Sequence, residues 1–230
     1  MNANTQELSS IIEQAITGPN RFNHDRKHDE GRHPEATLAF YAIQPGQRVA
    51  DLNAGRGYYA GLFADVVGDA GQVYAHAMEA TLKRWKGNPM DKRIEEFGIS
   101  NIEAVLGELE EPNLPDNLDA AFMTMTYHDS VWVGTDRPAM NKAIFDSLKP
   151  GGVFGVIDHH TKSGKGTSEC QTLHRIEKSV VIDEITAAGF ELESESDVLE
   201  NPDDPLTAMV HDKSISGHTS RFMLKFRKPT

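Results

Sequence analysis

Cysteine is almost absent from this sequence, since Cys170 is the only one among 230 residues. One thiol cannot form a disulfide within the chain, and it cannot supply the clusters of cysteines that hold structural zinc. The sequence therefore excludes a disulfide-stabilised fold and a cysteine-based zinc site, and it fits a reducing compartment.

Positive charge is scarce as well. The chain carries 23 Lys and Arg residues against 35 Asp and Glu residues, which gives a formal net charge of −12 at pH 7. Binding to the phosphate backbone of nucleic acids is driven by Lys and Arg side chains. We therefore expect no nucleic acid partner for this protein.

The sequence also lacks an apolar run long enough to cross a bilayer, and residues 1–8 have neither the basic nor the apolar region of a signal peptide. We expect a soluble, cytoplasmic protein without a membrane partner. With 38% hydrophobic residues, a chain of 230 residues suffices for one α/β domain with an added cap.

The N-terminal region predicts a helix followed by a polar segment. Apolar residues recur at helical spacing in residues 5–16, whereas residues 21–34 are rich in His, Asp and Arg and have no apolar period. A solvated linker is the simpler interpretation of that polar segment. Because it leads directly into a predicted helix at 35–42, the alternative is a lid over the site. We assign residues 1–34 to an N-terminal helix and lid segment, and residues 35–230 to the main domain.

A strand, a glycine loop and a helix follow one another in residues 48–67. A short apolar run ends in Asp51, the turn holds Asn53, Gly55 and Gly57, and an apolar helix pattern follows. Glycines allow positive φ angles and close approach of the backbone to a ligand, and the N–H groups of the helix start face the bound group. This arrangement predicts a nucleotide-binding unit, with the Asp51 carboxylate placed to act on the ligand.

This segment resembles motif I of the class I S-adenosylmethionine-dependent methyltransferases, in which an acidic residue is followed by spaced glycines. Asn53 stands where the first glycine is usual, and Asn tolerates the left-handed region better than other residues with a Cβ. The resemblance implies S-adenosylmethionine as the cofactor, held by Asp51, Asn53, Gly55 and Gly57, and methyl transfer as the reaction. We expect the acceptor to be a small molecule with an O, N or S nucleophile.

The resemblance extends upstream of the loop and to the C-terminus. Residues 26–34, which include the element Arg32-His33-Pro34, are similar to a little-characterised branch of predicted class I methyltransferases, and residues 221–229 also match that branch. The branch does not identify the methyl acceptor. We expect Arg32 and His33 to come from the lid, as substrate or lid residues.

Two acidic residues are expected to complete the cofactor site. In the family, a carboxylate at the end of the second strand holds the ribose hydroxyls. That position is Ala77 here, and Glu79, two residues further on, is expected to take the role. Glu108 follows the third strand, where the family often places a carboxylate against the adenine amino group. An ordinary surface glutamate is the alternative for Glu108, because its loop is acidic throughout.

Polar triplets follow two strands that should be neighbours in the sheet. Tyr-His-Asp follows the apolar run at 120–126, and Asp-His-His follows the run at 153–157, which comes after a Lys-Pro-Gly-Gly turn. Ligands of open parallel sheets bind outside the carboxyl ends of the strands, and an imidazole suits the base that a protonated acceptor requires. The catalytic candidates are His128, Asp129, His159 and His160, and the expected substrate contacts are Tyr127 and His174.

Two alternatives stay open. The His and Asp residues of the strand ends, together with His174, offer ligands for zinc, iron or manganese, but no fixed spacing accompanies them, so we assign no metal. Asn53 and Ala77 depart from the family pattern, which is compatible with a methyltransferase-like scaffold that binds a ligand or partner without methyl transfer.

The order of the patterns predicts the fold. Strands and helices alternate through residue 157, a helix is expected over 174–188, and residues 190–199 and 221–228 alternate like an antiparallel edge pair. We expect an α/β, Rossmann-like doubly wound sheet of about seven strands, six of them parallel, with a reversed edge strand and an N-terminal helical extension. A homodimer is a possible assembly.

Overall fold

A seven-stranded sheet forms the centre of the molecule in a computed structural model that describes residues 3–230; the first two residues of the predicted N-terminal region lie outside it. The strands are β1 (Arg48–Leu52), β2 (Gln72–Ala77), β3 (Ile102–Leu106), β4 (Leu118–Thr124), β5 (Leu148–His159), β6 (Glu191–Ser196) and β7 (Arg221–Arg227). Their order in the sheet is β3-β2-β1-β4-β5-β7-β6. Strands β1 to β5 pair in parallel, and β7 is antiparallel to both of its neighbours.

This topology confirms the predicted Rossmann-like fold. The strand order reverses between β1 and β4, which is the point where ligands bind in open sheets of this kind. The predicted antiparallel pair lies at the edge of the sheet, and the reversed strand β7 is the inner member of that pair.

Helices cover both faces of the sheet. They are α1 (Ala3–Thr17), α2 (Asn23–Arg26), α3 (Asp29–Arg32), α4 (Pro34–Tyr41), α5 (Tyr58–Val67), α6 (Glu79–Trp85), α7 (Asp91–Phe97), α8 (Tyr127–Trp132), α9 (Arg137–Ser147) and α10 (Lys178–Ala187). In β4, Ala120 and Phe122 pack in the apolar cluster of α1, α4 and α5, whereas Ala121 and Met123 pack in that of α9 and α10. Successive strand residues point to opposite faces, so the continuous apolar run fits a strand buried on both sides.

Several predicted boundaries were wrong. Strand β5 begins at Leu148, so the Lys-Pro-Gly-Gly segment expected as a turn before the strand lies within it. The helix expected from His174 begins at Lys178, because His174 has a left-handed φ of 56° and the adjacent Arg175 is held in a buried ion pair. The strand expected to reach Thr126 ends at Thr124, because Met125 turns the chain with a φ of 60°. The Tyr-His-Asp triplet therefore opens α8 instead of ending a strand.

Helix α1 packs on its own chain. Ile12 and Ala15 are 2% exposed and share a cluster with Leu38 of α4 and Phe63 of α5. Burial of a side chain such as Ile12 contributes roughly 1.5–3 kcal/mol. The division of the chain at residue 34 stays a prediction. Within residues 3–230, no helix has the length and apolarity needed to cross a bilayer.

Candidate active site

The glycine loop between β1 and α5 has the conformation that the sequence predicts. Asn53, Gly55 and Gly57 have positive φ angles of 51°, 57° and 74°. A Cβ at Gly55 would have no atom within 4 Å, whereas a Cβ at Gly57 would lie 2.2 Å from the sulfur of Met90. Gly55 therefore leaves the backbone open to a ligand, and Gly57 allows α7 to pack closely against the loop.

A histidine that sequence reasoning missed holds this loop in place. His76 on β2 is buried; its Nδ1 accepts from the Asn53 N–H at 3.3 Å, and its Nε2 donates to the Gly107 carbonyl at 3.0 Å. Burial lowers the pKa of His76 to about 4, so the ring is neutral. The signal in the sequence was a lone polar residue inside an apolar strand.

Asp51 lies behind the loop instead of lining the open space in front of it. Its side chain is buried, a backbone N–H of Ala60 in α5 hydrogen-bonds to the carboxyl group, and Oδ1 has no partner. Burial raises the pKa of Asp51 to about 7. Its position allows it to brace β1 against α5 rather than to reach a ligand directly.

A cavity of about 840 Å³ opens over the carboxyl ends of β1, β4 and β5. The glycine loop, residues 53–56, forms one side, and residues from 124–129 together with His159 form the opposite side. Residues from the segments 24–32 and 210–221 cover it. The cavity thus lies where the strand order reverses, which is where we expect the cofactor and the acceptor to bind.

Asp158, at the end of β5, organises the strand ends. Its carboxylate accepts from the backbone N–H of His128 at 2.8 Å, from the Nδ1 of His128 at 2.7 Å, and from the N–H of His159 at 2.7 Å. Because an ionised carboxylate only accepts hydrogen bonds, Nδ1 of His128 carries the proton. The two triplets therefore lie next to each other, as their positions on neighbouring strands predict, and Asp158 hydrogen-bonds to residues of both.

His128 points its Nε2 at two further side chains. Nε2 lies 3.2 Å from Nδ1 of His174 and 3.2 Å from Oδ1 of Asp129. Burial acts to lower the pKa of His128, but the carboxylates of Asp158 and Asp129 outweigh it and raise the pKa to about 10. The structure thus brings together three predicted residues that lie up to 46 positions apart in the chain.

His159 and His160 face opposite sides of the strand. His159 lines the cavity, and its Nδ1 lies 2.8 Å from the Thr219 hydroxyl; burial holds its pKa well below the ordinary value. His160 packs its ring against Phe222 and lies 3.4 Å from a Glu200 carboxylate oxygen. Because successive side chains of a strand point to opposite faces, the two rings cannot enter the same site. Of the two, only His159 lines the cavity.

Four other predicted site residues lie away from the cavity. Tyr127 is buried in the cluster of α9 and α10, where its hydroxyl bonds to Glu184 at 2.9 Å. Glu79 is exposed and pairs with Lys83 one turn along α6. Glu108 and His33 are exposed side chains outside the cavity lining. The loops after β2 and β3 carry these glutamates outward, so the ribose and adenine roles are not supported by their placement.

One buried ion pair and further hydrogen bonds hold the N-terminal segment over the cavity. Asp25 of α2 accepts two hydrogen bonds from Arg93 of α7, at 2.7 and 2.9 Å, and both side chains are buried. The Arg93 Nε also donates to the carbonyl of Arg56 in the glycine loop at 3.1 Å. Asp29 accepts from the Tyr58 hydroxyl at 2.7 Å. The segment is therefore ordered and covers the cavity, and its role as a lid stays a prediction.

Two arginines in the cavity have no carboxylate partner. Arg32 stacks its guanidinium 4.2 Å from the centre of the Tyr58 ring, and Arg221 donates to the carbonyls of Thr219 and Gly31. Among residues 3–230, no acidic side chain lies within ion-pair distance of either guanidinium. Sequence reasoning singled out Arg32 but not Arg221, which it used only as part of a family match.

The chain is similar to known methyltransferases in sequence and in structure. It is 26% identical over 135 residues to a protein-L-isoaspartate O-methyltransferase of Methanococcus maripaludis, covering 55% of this chain and 58% of that protein. It is 32% identical over 126 residues to a ubiquinone/menaquinone biosynthesis C-methyltransferase of Shewanella frigidimarina, covering 54% of this chain and 47% of that protein. The matched region thus spans about half the length of these relatives.

The fold agrees with a solved structure over nearly the whole chain. A SAM-dependent methyltransferase from Aquifex aeolicus superposes with a TM-score of 0.65 at 21% identity, covering 96% of this chain and 98% of that one. The model of the ubiE/COQ5 methyltransferase family matches residues 26–176, which include the glycine loop, both polar triplets and His174. The chain therefore belongs to the ubiE/COQ5 methyltransferase family.

Proposed function

We propose that the protein transfers a methyl group from S-adenosylmethionine to an O, N or S atom of a small molecule. The observation that carries the proposal is the single cavity that joins the open glycine loop to the strand-end side chains of β4 and β5. S-adenosylmethionine, when bound, supplies a methyl group on a positively charged sulfur. The chain then has to position the acceptor and exclude water, which is the main requirement for such a displacement.

The residues of the cavity fit this cofactor. The open space at Gly55 admits a ligand to the loop backbone, and the unpaired guanidinium of Arg32 lies next to the two tyrosines that follow the loop. A carboxylate is the natural partner of such a guanidinium, and the amino acid part of the cofactor carries one. We infer that Asn53, Gly55 and Arg32 bind the cofactor and that Asp51 and Gly57 support the loop from behind.

The size and cover of the cavity favour a small acceptor. Its volume of about 840 Å³ lies within the range of small-molecule sites, which is roughly 300–1,000 Å³. The cover formed by segments 24–32 and 210–221 leaves little room for a folded protein or a nucleic acid duplex. One of the two relatives is named as an O-methyltransferase and the other as a C-methyltransferase. The imidazole and hydroxyl groups of His159 and Thr219 favour a polar acceptor atom here.

Isothermal titration with S-adenosylmethionine and S-adenosylhomocysteine tests the proposal. The wild-type protein should bind both, and Gly55→Val should weaken binding by at least ~100-fold, about 2.7 kcal/mol, because the new side chain fills the ligand space. Gly98→Val is the matched control: Gly98 has a φ of 60° and an equally open surrounding, but it ends α7 away from the cavity.

The control variant should retain wild-type affinity while carrying the same backbone strain. Equal affinity in Gly55→Val would remove the glycine loop from the cofactor site. A folded wild-type protein that binds neither compound, after removal of co-purified ligand, would favour the alternative of a scaffold without methyl transfer.

A further inference from the structure

We propose that His128, Asp129 and His174 form a binding site for a divalent transition-metal ion, with an open coordination position that faces the cavity. The ligand atoms of these three residues all lie within 4.8 Å of one another. They come from the first turn of α8 and from the loop that precedes α10. The binding of the ion does not depend on methyl transfer; only its role as an anchor for the acceptor rests on the proposed function.

The distances between the three ligand atoms suit one ion. Nε2 of His128 lies 3.2 Å from Nδ1 of His174 and 3.2 Å from Oδ1 of Asp129, and the latter two atoms are 3.6 Å apart. Two ligands at the usual ~2.0–2.1 Å from a tetrahedral zinc ion are about 3.3 Å apart. A single ion can therefore reach all three atoms without rearrangement of the backbone.

Asp158 prepares His128 to be a ligand. The hydrogen bond from Nδ1 to Asp158 fixes the ring and leaves Nε2 as the atom directed at His174 and Asp129. Ligating histidines commonly donate their second ring nitrogen to a carboxylate in this way, which orients the ring and raises its basicity. The buried Asp158 is thus a positioning residue and not a ligand.

The loop that carries His174 is built rigidly. Arg175 is fully buried and donates to Asp204 at 2.9 and 3.1 Å and to the carbonyls of His160 and Ala208. His174 itself has a φ of 56°, a conformation that costs energy for a residue with a Cβ. A strained residue on an anchored loop is the kind of preorganisation that a binding site requires.

The ligand set indicates which ions fit. Two imidazoles and one carboxylate suit zinc or ferrous iron, whereas magnesium and calcium prefer oxygen ligands alone. Three protein ligands leave a further position for water or substrate, as in catalytic rather than structural metal sites. All three residues line the cavity, so that position would hold an acceptor atom opposite the glycine loop.

Zinc uptake by the full-length protein tests the site. Chelator-treated protein is dialysed against Zn²⁺ and analysed for bound metal, and it should take up about one ion per chain with three protein ligands. His174→Ala and Asp129→Asn should each weaken uptake by more than ~100-fold, because loss of a ligand exceeds the roughly 10–100-fold effect of an outer partner. Both residues are partly exposed, so these variants should fold.

Two further variants and a Co²⁺ probe distinguish loss of a metal ligand from other effects on uptake. Asp158→Asn should weaken Zn²⁺ binding by roughly 10–100-fold through His128, and Co²⁺ should give the strong visible absorption of a four-coordinate site only when His174 is present. His218→Ala is the matched control, because His218 lines the same cavity outside the cluster. Its uptake should equal that of the wild type.

Wild-type protein that takes up no more Zn²⁺ than His174→Ala has no site at this cluster. Titration of the same metal-free protein with S-adenosylmethionine separates the two proposals. Cofactor binding without metal uptake rejects only the metal site, and metal uptake without cofactor binding rejects only the proposed function.

Discussion

Arg32 brings a positive charge to the cavity that no acidic side chain in the described part of the chain neutralises. We predict that Arg32→Ala weakens binding of S-adenosylmethionine and S-adenosylhomocysteine alike, by roughly 10–100-fold, because a charge-assisted hydrogen bond contributes about 1.5–3 kcal/mol. Methylthioadenosine lacks the amino acid part of the cofactor, so its affinity should not change. Titration of all three compounds measures the difference.

The matched control is Arg26→Ala. Arg26 lies in the same segment but donates to the carbonyls of Ile16 and Gly18, away from the cavity. If Arg32→Ala weakened binding of methylthioadenosine as much as binding of the other two compounds, the Arg32 guanidinium would not be the partner of the cofactor carboxylate.

Asp51 makes stability depend on pH in the ligand-free protein. Its pKa is raised from 3.8 to about 7 by burial, so the folded state holds a proton that the unfolded state has already released. The stabilisation is complete below about pH 4 and is lost as pH rises to about 7, a change of up to ~4 kcal/mol at about 1.4 kcal/mol per pKa unit. Asp51→Asn should remove this part of the pH dependence.

Urea unfolding at pH 5 and pH 8 checks this prediction. The wild-type protein should lose more stability between the two pH values than Asp51→Asn does, since all other titrating groups are shared. Glu79→Gln, which changes an exposed carboxylate, should behave like the wild type. Equal losses in wild type and Asp51→Asn would place the Asp51 pKa near its ordinary value.

The short helix α2 depends on one buried ion pair. Removing Arg93 would leave the carboxylate of Asp25 buried without its partner and would free the Arg56 carbonyl of the glycine loop. We predict that Arg93→Ala lowers the free energy of unfolding by about 3–5 kcal/mol, the cost of an uncompensated buried charge. Denaturant unfolding measures it, and protease cleavage should move into residues 21–33.

Glu96→Ala is the control for this variant, because Glu96 is an exposed residue on the same helix. Its unfolding free energy and cleavage pattern should match those of the wild type. An Arg93→Ala protein that is as stable as Glu96→Ala would show that the ion pair is not what holds the cover.

Segments 24–32 and 210–221 meet over the cavity, so we expect a bound ligand to affect both of them. Arg221 of β7 donates to the carbonyl of Gly31, so the N-terminal cover and the C-terminal strand are in direct contact. We predict that S-adenosylhomocysteine slows amide hydrogen exchange in residues 24–32 and 210–219 together, because ligand binding stabilises the closed state of both. Helix α10, on the other side of the sheet, should exchange unchanged.

Hydrogen exchange followed by mass spectrometry makes this comparison. Protection of only one of the two segments would mean that they move independently.

The cytoplasmic location and the homodimer stay predictions, since neither follows from the contacts within one chain.

Much of this molecule could be predicted from local patterns. The glycine loop, the alternation of strands and helices, and the reversed strand pair depend on φ preferences and hydrophobic periodicity, which act within a few residues. Membership of the ubiE/COQ5 methyltransferase family confirms the predicted class of S-adenosylmethionine-dependent methyltransferases and with it the cofactor. The positive φ of Asn53 shows that this residue adopts the left-handed conformation that the sequence pattern allows for it.

The arrangement of side chains in the site was decided by the tertiary structure. Whether His159 or His160 faces the cavity depends on the register of β5, because a shift of one residue exchanges the two faces of a strand. The loop conformations after β2 and β3 turned Glu79 and Glu108 outward, and packing against Glu184 turned Tyr127 inward. The sequence by itself determined the order of the elements and the chemical types at the strand ends. Only the folded chain brought His174 to His128 and Arg221 to Gly31, because these contacts join residues that no local rule relates.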